Sequence, residues 1–391
     1  RRQNELLEAK IIQRTTIIEE QKQDLAKQKE ELARKNQELE HKNIELLESN
    51  QRADRIFSAL AEALPGAVLD GKYQLGEKIG SGGFGAVYHG THLTLKRPIA
   101  VKIFKPMPGN DSAKGLERFR LEAIAASRID HPNVVAVLDS GISSEGIAYI
   151  VMELLKGHSL AKELQVKGVL TISRLVEILL PICDVLAKAH ELDLVHRDIK
   201  PENIFLHQTE QGEIVKVVDF GIAKFAEERG KVDIKGLTST NNLIGTPAYM
   251  APERIQYQIY DGRADIYSLG IMIYQMLSGQ LPFIATEGNM VAVLIQHVCE
   301  IPPSLRTLNQ AVPEDLAELV MRMLAKQPEE RPTARELGRW LTKLTTLLPK
   351  DRRSVANDYK TEDITDEQEL ETLKFEPTLY NTEPNINKKN S

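Results

Sequence analysis

Leu194-Val195-His196-Arg197-Asp198-Ile199-Lys200-Pro201-Glu202-Asn203 is the stretch whose reading decides the fold. Sixteen residues beyond Asn203 stands Asp219, within Val217-Val218-Asp219-Phe220-Gly221. Later comes Gly245-Thr246-Pro247-Ala248-Tyr249-Met250-Ala251-Pro252-Glu253. Upstream, Tyr73–Ile79, Ala86–His92 and Ile99–Phe104 are rich in Val, Ile and aromatics with turns between them, the pattern of short strands. Between the first two lies Gly80-Ser81-Gly82-Gly83-Phe84-Gly85-Ala86-Val87. After a dinucleotide-binding strand such a run opens a helix. Here a strand-type segment follows, so the run reads as a hairpin. Its glycines let the backbone approach phosphate oxygens and aim N–H groups at them.

Ala100-Val101-Lys102 follows on the third strand, with Lys102 seventeen residues past Gly85. A lysine inside an apolar strand pattern is expensive to bury unpaired, so it calls for an anionic partner. Glu122 is the candidate. It shares a face with Phe119, Ala123 and Ala126 on the helix expected over 112–129, which stops before His131-Pro132.

Taken together, these motifs closely resemble the eukaryotic-type protein kinases, and among them the bacterial Ser/Thr kinases with an N-terminal signalling coiled coil. The resemblance covers roughly residues 73–345. It implies an α+β, bilobal protein-kinase fold: a small N-lobe (73–152) with an antiparallel sheet plus one helix, and a larger, mainly helical C-lobe (156–348). It implies ATP and Mg²⁺ as cofactors, with Mn²⁺ as an alternative ion. Gly80, Gly82 and Gly85 would cover the phosphates, with Ile79, Ser81, Gly83 and Phe84 also binding the nucleotide. Lys102 would hold the α- and β-phosphates and be fixed by Glu122. Asp219 and Asn203 would supply hard oxygen ligands to the metal. Asp198 would accept the proton of the substrate hydroxyl, and Lys200 would neutralise charge on the transferring group. For the adenine, Met152 would guard the back pocket, backbone groups of Glu153 and Leu155 would meet the ring edge, and Val87, Ala100 and Phe205 would sandwich its faces.

Lys200-Pro201-Glu202 resembles the Ser/Thr-specific catalytic loop, and Thr246 matches the threonine such kinases place near the catalytic Asp. The acceptor is therefore expected to be a protein serine or threonine hydroxyl. Arg197 would meet a phosphate on the activation segment, Asp219 to Glu253, through charge-assisted hydrogen bonds. Thr238 and Thr240, then Ser239, are the candidate phosphorylation sites. Asp265 resembles the residue that braces the catalytic loop, and Arg331 the one that pairs with Glu253. Two other readings compete. A catalytically inactive kinase-fold scaffold would have lost Lys102, Asp198 or Asp219. A small-molecule phosphotransferase of related fold would lack Ala251-Pro252-Glu253 and differ at Arg197.

Composition bounds the rest. The 391 residues suffice for two or three units, and a net charge of −6 argues against a nucleic-acid binder. Two cysteines, Cys183 and Cys299, make no disulfide framework and point to a reducing, cytoplasmic setting without zinc. No apolar run reaches the roughly 18 residues of a membrane span. Residue 1 is Arg, which reads as a piece of a longer protein. Before Pro65 there is neither Gly nor Pro, and Ile11, Ile18, Leu25, Leu32, Leu39 and Leu46 recur every seven residues. That period predicts a left-handed coiled coil with the stripe at d and polar residues such as Asn36, Asn43 and Asn50 at the a positions, favouring a parallel pair. Arg14 with Glu19, and Lys35 with Glu40, would pair between helices. A single solvated helix laced with i,i+4 charge pairs is the plainer reading. The unbroken stripe implies a homodimer; Asn4-Glu5-Leu6-Leu7-Glu8 through Arg14-Thr15-Thr16, then Ile18-Glu19-Glu20-Gln21, resembles the signalling helix of bacterial sensors, which implies an upstream sensor or membrane module at the inner membrane face. The organisation expected is thus a helix (1–64), a linker (65–72), the kinase domain (73–348) and a disordered polar tail (349–391) with 7 basic and 10 acidic residues from 350 onward.

Overall fold

A chain without proline or glycine for its first 64 residues has nothing to interrupt a helix, and none is interrupted. In this computed structural model α1 runs from Arg2 to Ala63. The structure describes residues 2–82, 85–105, 129–220, 247–256, 258–284 and 290–347. The chain divides into two units, Arg1–Ala59 and Leu60–Ser391. In the first, Ile18, Leu25 and Leu32 of the heptad stripe are 51%, 66% and 60% exposed. Its ion pairs lie within the helix: Lys35 meets Glu31 at 2.6 Å and Lys42 meets Glu38 at 2.7 Å. Among the described residues no helix is long and apolar enough to cross a membrane.

The second unit begins with a six-stranded antiparallel sheet. Its strands are β1 (Val68–Leu69), β2 (Tyr73–Gly82), β3 (Gly85–His92), β4 (Arg97–Phe104), β5 (Val137–Ile142) and β6 (Ala148–Glu153), in the order β1-β2-β3-β4-β6-β5. The stretch 65–72, expected as a linker, carries β1, which pairs Leu69 with Tyr73. The glycine run does form the β2–β3 hairpin, with Gly82 opposite Gly85. Gly85 has φ +154°, and a Cβ there would lie 1.9 Å from the Ile103 carbonyl oxygen, so the position excludes any side chain. Gly83 and Phe84 lie outside the described residues, as do Glu122 and all but the last residue of the helix expected over 112–129. The sheet curls until its two edges meet: the Tyr73 hydroxyl donates to Asp139 on β5, and that of Tyr149 on β6 donates to Asp70 just past β1.

The larger lobe is built on helices α2 (Leu160–Lys167), α3 (Ile172–Glu191), α4 (Pro252–Ile255), α5 (Arg263–Ser278), α6 (Met290–Cys299), α7 (Leu305–Leu308), α8 (Glu314–Met323) and α9 (Ala334–Leu347). A small sheet of β7 (Gly157–Ser159), β8 (Ile204–Thr209) and β9 (Gly212–Val217) faces the first lobe's strands. Thirteen of the 16 residues of α5 are buried, the signature of a helix at the centre of a core rather than on its surface. The tail expected over 349–391 lies outside the described residues.

Two buried ion pairs tie this lobe together. Arg331 donates two bonds to Glu253, at 2.7 and 2.8 Å, with both side chains at most 2% exposed. The pairing implied by the resemblance is therefore present. Glu163 on α2 accepts from Arg174 on α3 (2.8 and 3.1 Å), from Lys167 and from His158. Burial alone would raise its pKa, but the hydrogen bonds from Arg174 and its companions outweigh this and hold it at about 2.

Removing one partner leaves a buried charge uncompensated. Arg331→Ala should therefore lower unfolding free energy by about 3–5 kcal/mol, measured by urea denaturation. Glu163 gains its advantage as a carboxylate: its stabilisation is complete above the ordinary value of 4.5 and is lost as pH falls from there toward about 2. Glu163→Gln should accordingly show a flatter stability profile than the parent chain below pH 5, when denaturant midpoints are compared across the acid range.

Candidate active site

The loop between α3 and β8 carries His196, Arg197, Asp198, Lys200 and Asn203, and its geometry is imposed from beneath. Asp265, in the first turn of α5, is fully buried and accepts the backbone N–H groups of His196 and Arg197, both at 2.8 Å. His190, at the end of α3, adds a third contact at 2.9 Å. Burial would raise the Asp265 pKa, yet the His190 contact and the Arg197 amide hold it below the usual carboxylate range. His196 is buried, which pushes its pKa down, and its ring is neutral in its bonding: Nε2–H donates to the Val218 carbonyl at 3.1 Å and Nδ1 accepts from the Asp198 N–H at 3.3 Å. The ring also packs on Phe220, centroids 4.5 Å apart. Arg197 (φ 70°) and Asp219 (φ 57°) both adopt left-handed backbone, a conformation costly for side-chain-bearing residues.

Around this frame the side chains converge. Asn203 donates to the Asp198 backbone carbonyl at 2.7 Å and to its carboxylate at 3.0 Å. Lys200 meets the same carboxylate at 3.0 Å. Across the lobes, Lys102 on β4 donates to Asp219 at 2.6 Å. The lysine is 9% exposed and the aspartate 40%, so the pair opens toward solvent from the carboxylate side. Asp219 thus supplies the anionic partner that the apolar strand around Lys102 calls for, with Glu122 outside the described residues. Arg197 and Arg254 both stack on Tyr260, each 5.6 Å from the ring centroid, and Arg254 donates to the Arg197 carbonyl. Thr238, Ser239, Thr240 and Thr246 lie outside the described residues.

Behind the Lys102–Asp219 pair is a small pocket lined by Lys102, Val134, Val135, Val137, Ile150, Met152, Asp219 and Phe220. Met152 is where a back-pocket guard was expected. Val87, Ala100 and Phe205 do not line this pocket: Ala100 is buried, and Val87 and Phe205 are half-buried on β3 and β8. In sequence Val134, Val135 and Val137 lie in apolar runs that look like ordinary core, and Ile150 lies in the strand leading to Met152. The Val135 N–H donates to the Val217 carbonyl at 3.0 Å, which ties the first of these runs to the larger lobe, and Ile150 pairs with Lys102 across β6 and β4. Glu153 was read for its backbone alone. Its carboxylate in fact accepts from Lys216 on β9 (2.7 Å) and from the Ala136 N–H (2.8 Å), fixing the connection between lobes by a largely buried ion pair.

A curled antiparallel sheet above a helical lobe, with a buried lysine and a row of Asp, Lys and Asn side chains at the junction, defines a phosphotransferase-type cleft. Residues 73–340 match the protein kinase domain family, and the chain belongs to it. It is 37% identical over 296 residues to serine/threonine-protein kinase PknB of Mycobacterium tuberculosis, covering 74% of this chain and 45% of that one. With serine/threonine-protein kinase pkn3 of Myxococcus xanthus the identity is 34% over 274 residues, 69% of this chain and 49% of that one. The chain thus spans less than half the length of these two relatives. The crystal structure of a cysteine-to-alanine variant of the Mycobacterium tuberculosis PknI kinase domain superposes with a TM-score of 0.54 at 25% identity, over 72% of this chain and 98% of that one. Family membership implies use of ATP and a divalent metal ion.

An amide in place of the Asp265 carboxylate offers one acceptor and one donor where two backbone N–H groups now point. Asp265→Asn should lower unfolding free energy by about 1–3 kcal/mol, the scale of an unsatisfied buried group. It should also speed amide hydrogen exchange at the catalytic loop, read at His196 and Arg197 by NMR or mass spectrometry.

Proposed function

We propose that the chain is an active Ser/Thr protein kinase, moving the γ-phosphate of ATP to serine or threonine hydroxyls of protein substrates. The observation that carries this reading is the convergence of Lys102, Asp198, Lys200, Asn203 and Asp219 at one lobe junction. Phosphoryl transfer asks little covalent chemistry of the protein and depends on positioning and charge neutralisation. Asp198, oriented by Asn203, accepts a hydrogen bond from the substrate hydroxyl and takes its proton as the reaction proceeds. Lys200 compensates charge on the group in transit. Lys102 holds the α- and β-phosphates, and Gly80, Gly82 and Gly85 let backbone N–H groups close over them. Asp219 and the Asn203 amide are hard oxygen donors that suit Mg²⁺, which keeps waters and takes one or two protein ligands beside substrate phosphates. When bound, the ion neutralises phosphate charge. Glu153 and Leu155 present backbone groups to the adenine edge. The residues whose loss would favour an inactive scaffold are all in place, and Arg197 with Ala251-Pro252-Glu253 sets the chain apart from the small-molecule phosphotransferase reading.

Regulation belongs to the same proposal. Thr238 and Thr240, then Ser239, are the autophosphorylation sites, with Arg197 as the phosphate's partner. The heptad stripe of α1 pairs two chains in parallel, which raises the effective concentration of one kinase domain for the other. The chain works in the cytoplasm, with a sensor module joined upstream.

Lys102→Met should reduce phosphorylation of a generic Ser/Thr substrate by at least about a hundredfold, the scale of losing one preorganised electrostatic contact, while leaving the thermal midpoint within a few degrees. Undiminished turnover in this variant would overturn the catalytic assignment. Incubation with Mg·ATP followed by peptide mass spectrometry should find phosphate on the 236–240 segment. Sedimentation should show a dimer that Leu25→Glu with Leu32→Glu converts to monomer.

A further inference from the structure

Pro65 leaves the last turn of α1 one hydrogen bond short. In a helix each carbonyl accepts from the N–H four residues on. Leu60 has such a partner in the Leu64 N–H, at 3.1 Å. The next rung would join Ala61 to residue 65, and proline has no N–H to give. The Ala61 carbonyl is nevertheless satisfied, by a side chain 27 residues away. The hydroxyl of Tyr88, on β3, donates to it at 2.6 Å. Tyr88 is fully buried, and Ala61 and Leu64 are 3% and 5% exposed, so the bond is made out of water, where an unmade partner is most costly. It also sits at the negative end of the helix, where a donor is favoured.

The strand receiving this contact is the one beside the phosphate-facing groups. Tyr88 occupies one rung of the sheet, between Lys78 on β2 and Val101 on β4. The adjacent rung is Gly80–Val87–Lys102. The β2 ladder is irregular between Lys78 and Gly80, so on that side the glycine hairpin leans on β3 for its position.

We propose that Tyr88, Ala61 and Pro65 form a latch that couples the end of the N-terminal helix to the nucleotide site. Tyr88 is a positioning residue: it touches no substrate, and it sets the glycine hairpin and Lys102 by anchoring β3 to the helix end. Displacing the helix end breaks the bond and slackens β3, and nucleotide affinity falls. Proline at 65 is what makes the coupling specific, because it denies the carbonyl any partner from its own helix.

The inference rests on the nucleotide-binding reading above, and the test separates the two. Titration of Mg·ADP into the full chain by calorimetry, beside thermal melts, is run on the parent and three variants. Tyr88→Phe removes only the hydroxyl and should weaken ADP about fivefold, the factor one net hydrogen bond carries, with a lower melting midpoint. Tyr88→Phe with Pro65→Ala restores the helix rung. Its midpoint should recover while ADP affinity stays weak, because the link to β3 is still gone. Pro65→Ala alone, which offers the carbonyl a rival donor and keeps the tyrosine should Tyr88→Phe fail to fold, should weaken ADP by a smaller factor. Parental affinity in the single variants would overturn the latch. So would recovery of both affinity and midpoint in the double variant, which would reduce Tyr88 to a purely structural part. A parental chain that binds no Mg·ADP would overturn the nucleotide reading, and the latch with it.

Discussion

The loop that carries Asp198 has little regular structure of its own, and it keeps its shape because of the buried Asp265 carboxylate. Two backbone N–H groups of that loop end on Asp265, and His190 supports the carboxylate from α3. Burying an isolated carboxylate is prohibitive, so Asp265 stays ionised only while these donors are in place. The dependence runs both ways: the loop needs the carboxylate as its anchor, and the carboxylate needs the loop's amides. Since α5 is buried on all sides, the anchor itself cannot shift without opening the core of the larger lobe. The left-handed backbone of Arg197 is the local cost of that docking.

Contacts between the lobes follow the same logic of charges that are too costly to leave unpaired. Lys102 on the small lobe ends on Asp219 of the large one. Glu153, at the connection, ends on Lys216 of β9. Both pairs join strand residues of β4 or β6 to the strand that leads into Asp219. Among the described residues the lobe junction is held by these two ion pairs and the Val134–Val217 bridge, beside a small pocket. At the mouth of this junction Asp219 remains open to solvent while Lys102 is buried.

Much of this was legible in the linear sequence because phosphate chemistry restricts residue types at short spacings. His196 to Asn203 span eight residues, and the loop that carries Asp198 delivers Lys200 and Asn203 to the same carboxylate. The glycine run between strand patterns was enough to read a hairpin, and Gly85 shows why, since any side chain there would strike the Ile103 carbonyl. The contact of Lys102 with Asp219 was not legible. A buried lysine announces that it needs an anion, but which of many carboxylates answers depends on how β4 faces β9. The role of Glu153 was hidden for the same reason, its lysine lying 63 residues away.

What the sequence by itself determined is the set of local constraints. A stretch free of Gly and Pro has nothing to break a helix, its heptad presents an apolar stripe, and a proline at 65 has no N–H for the helix carbonyl four residues back. What only the tertiary structure decided is where those local demands are met. Tyr88 satisfies the orphaned carbonyl, Asp219 the buried lysine, and the supposed linker joins the sheet as β1. The physical reason is that a sequence specifies unmet hydrogen bonds and charges at each position, whereas their partners are chosen by three-dimensional proximity across separations of tens to more than a hundred residues.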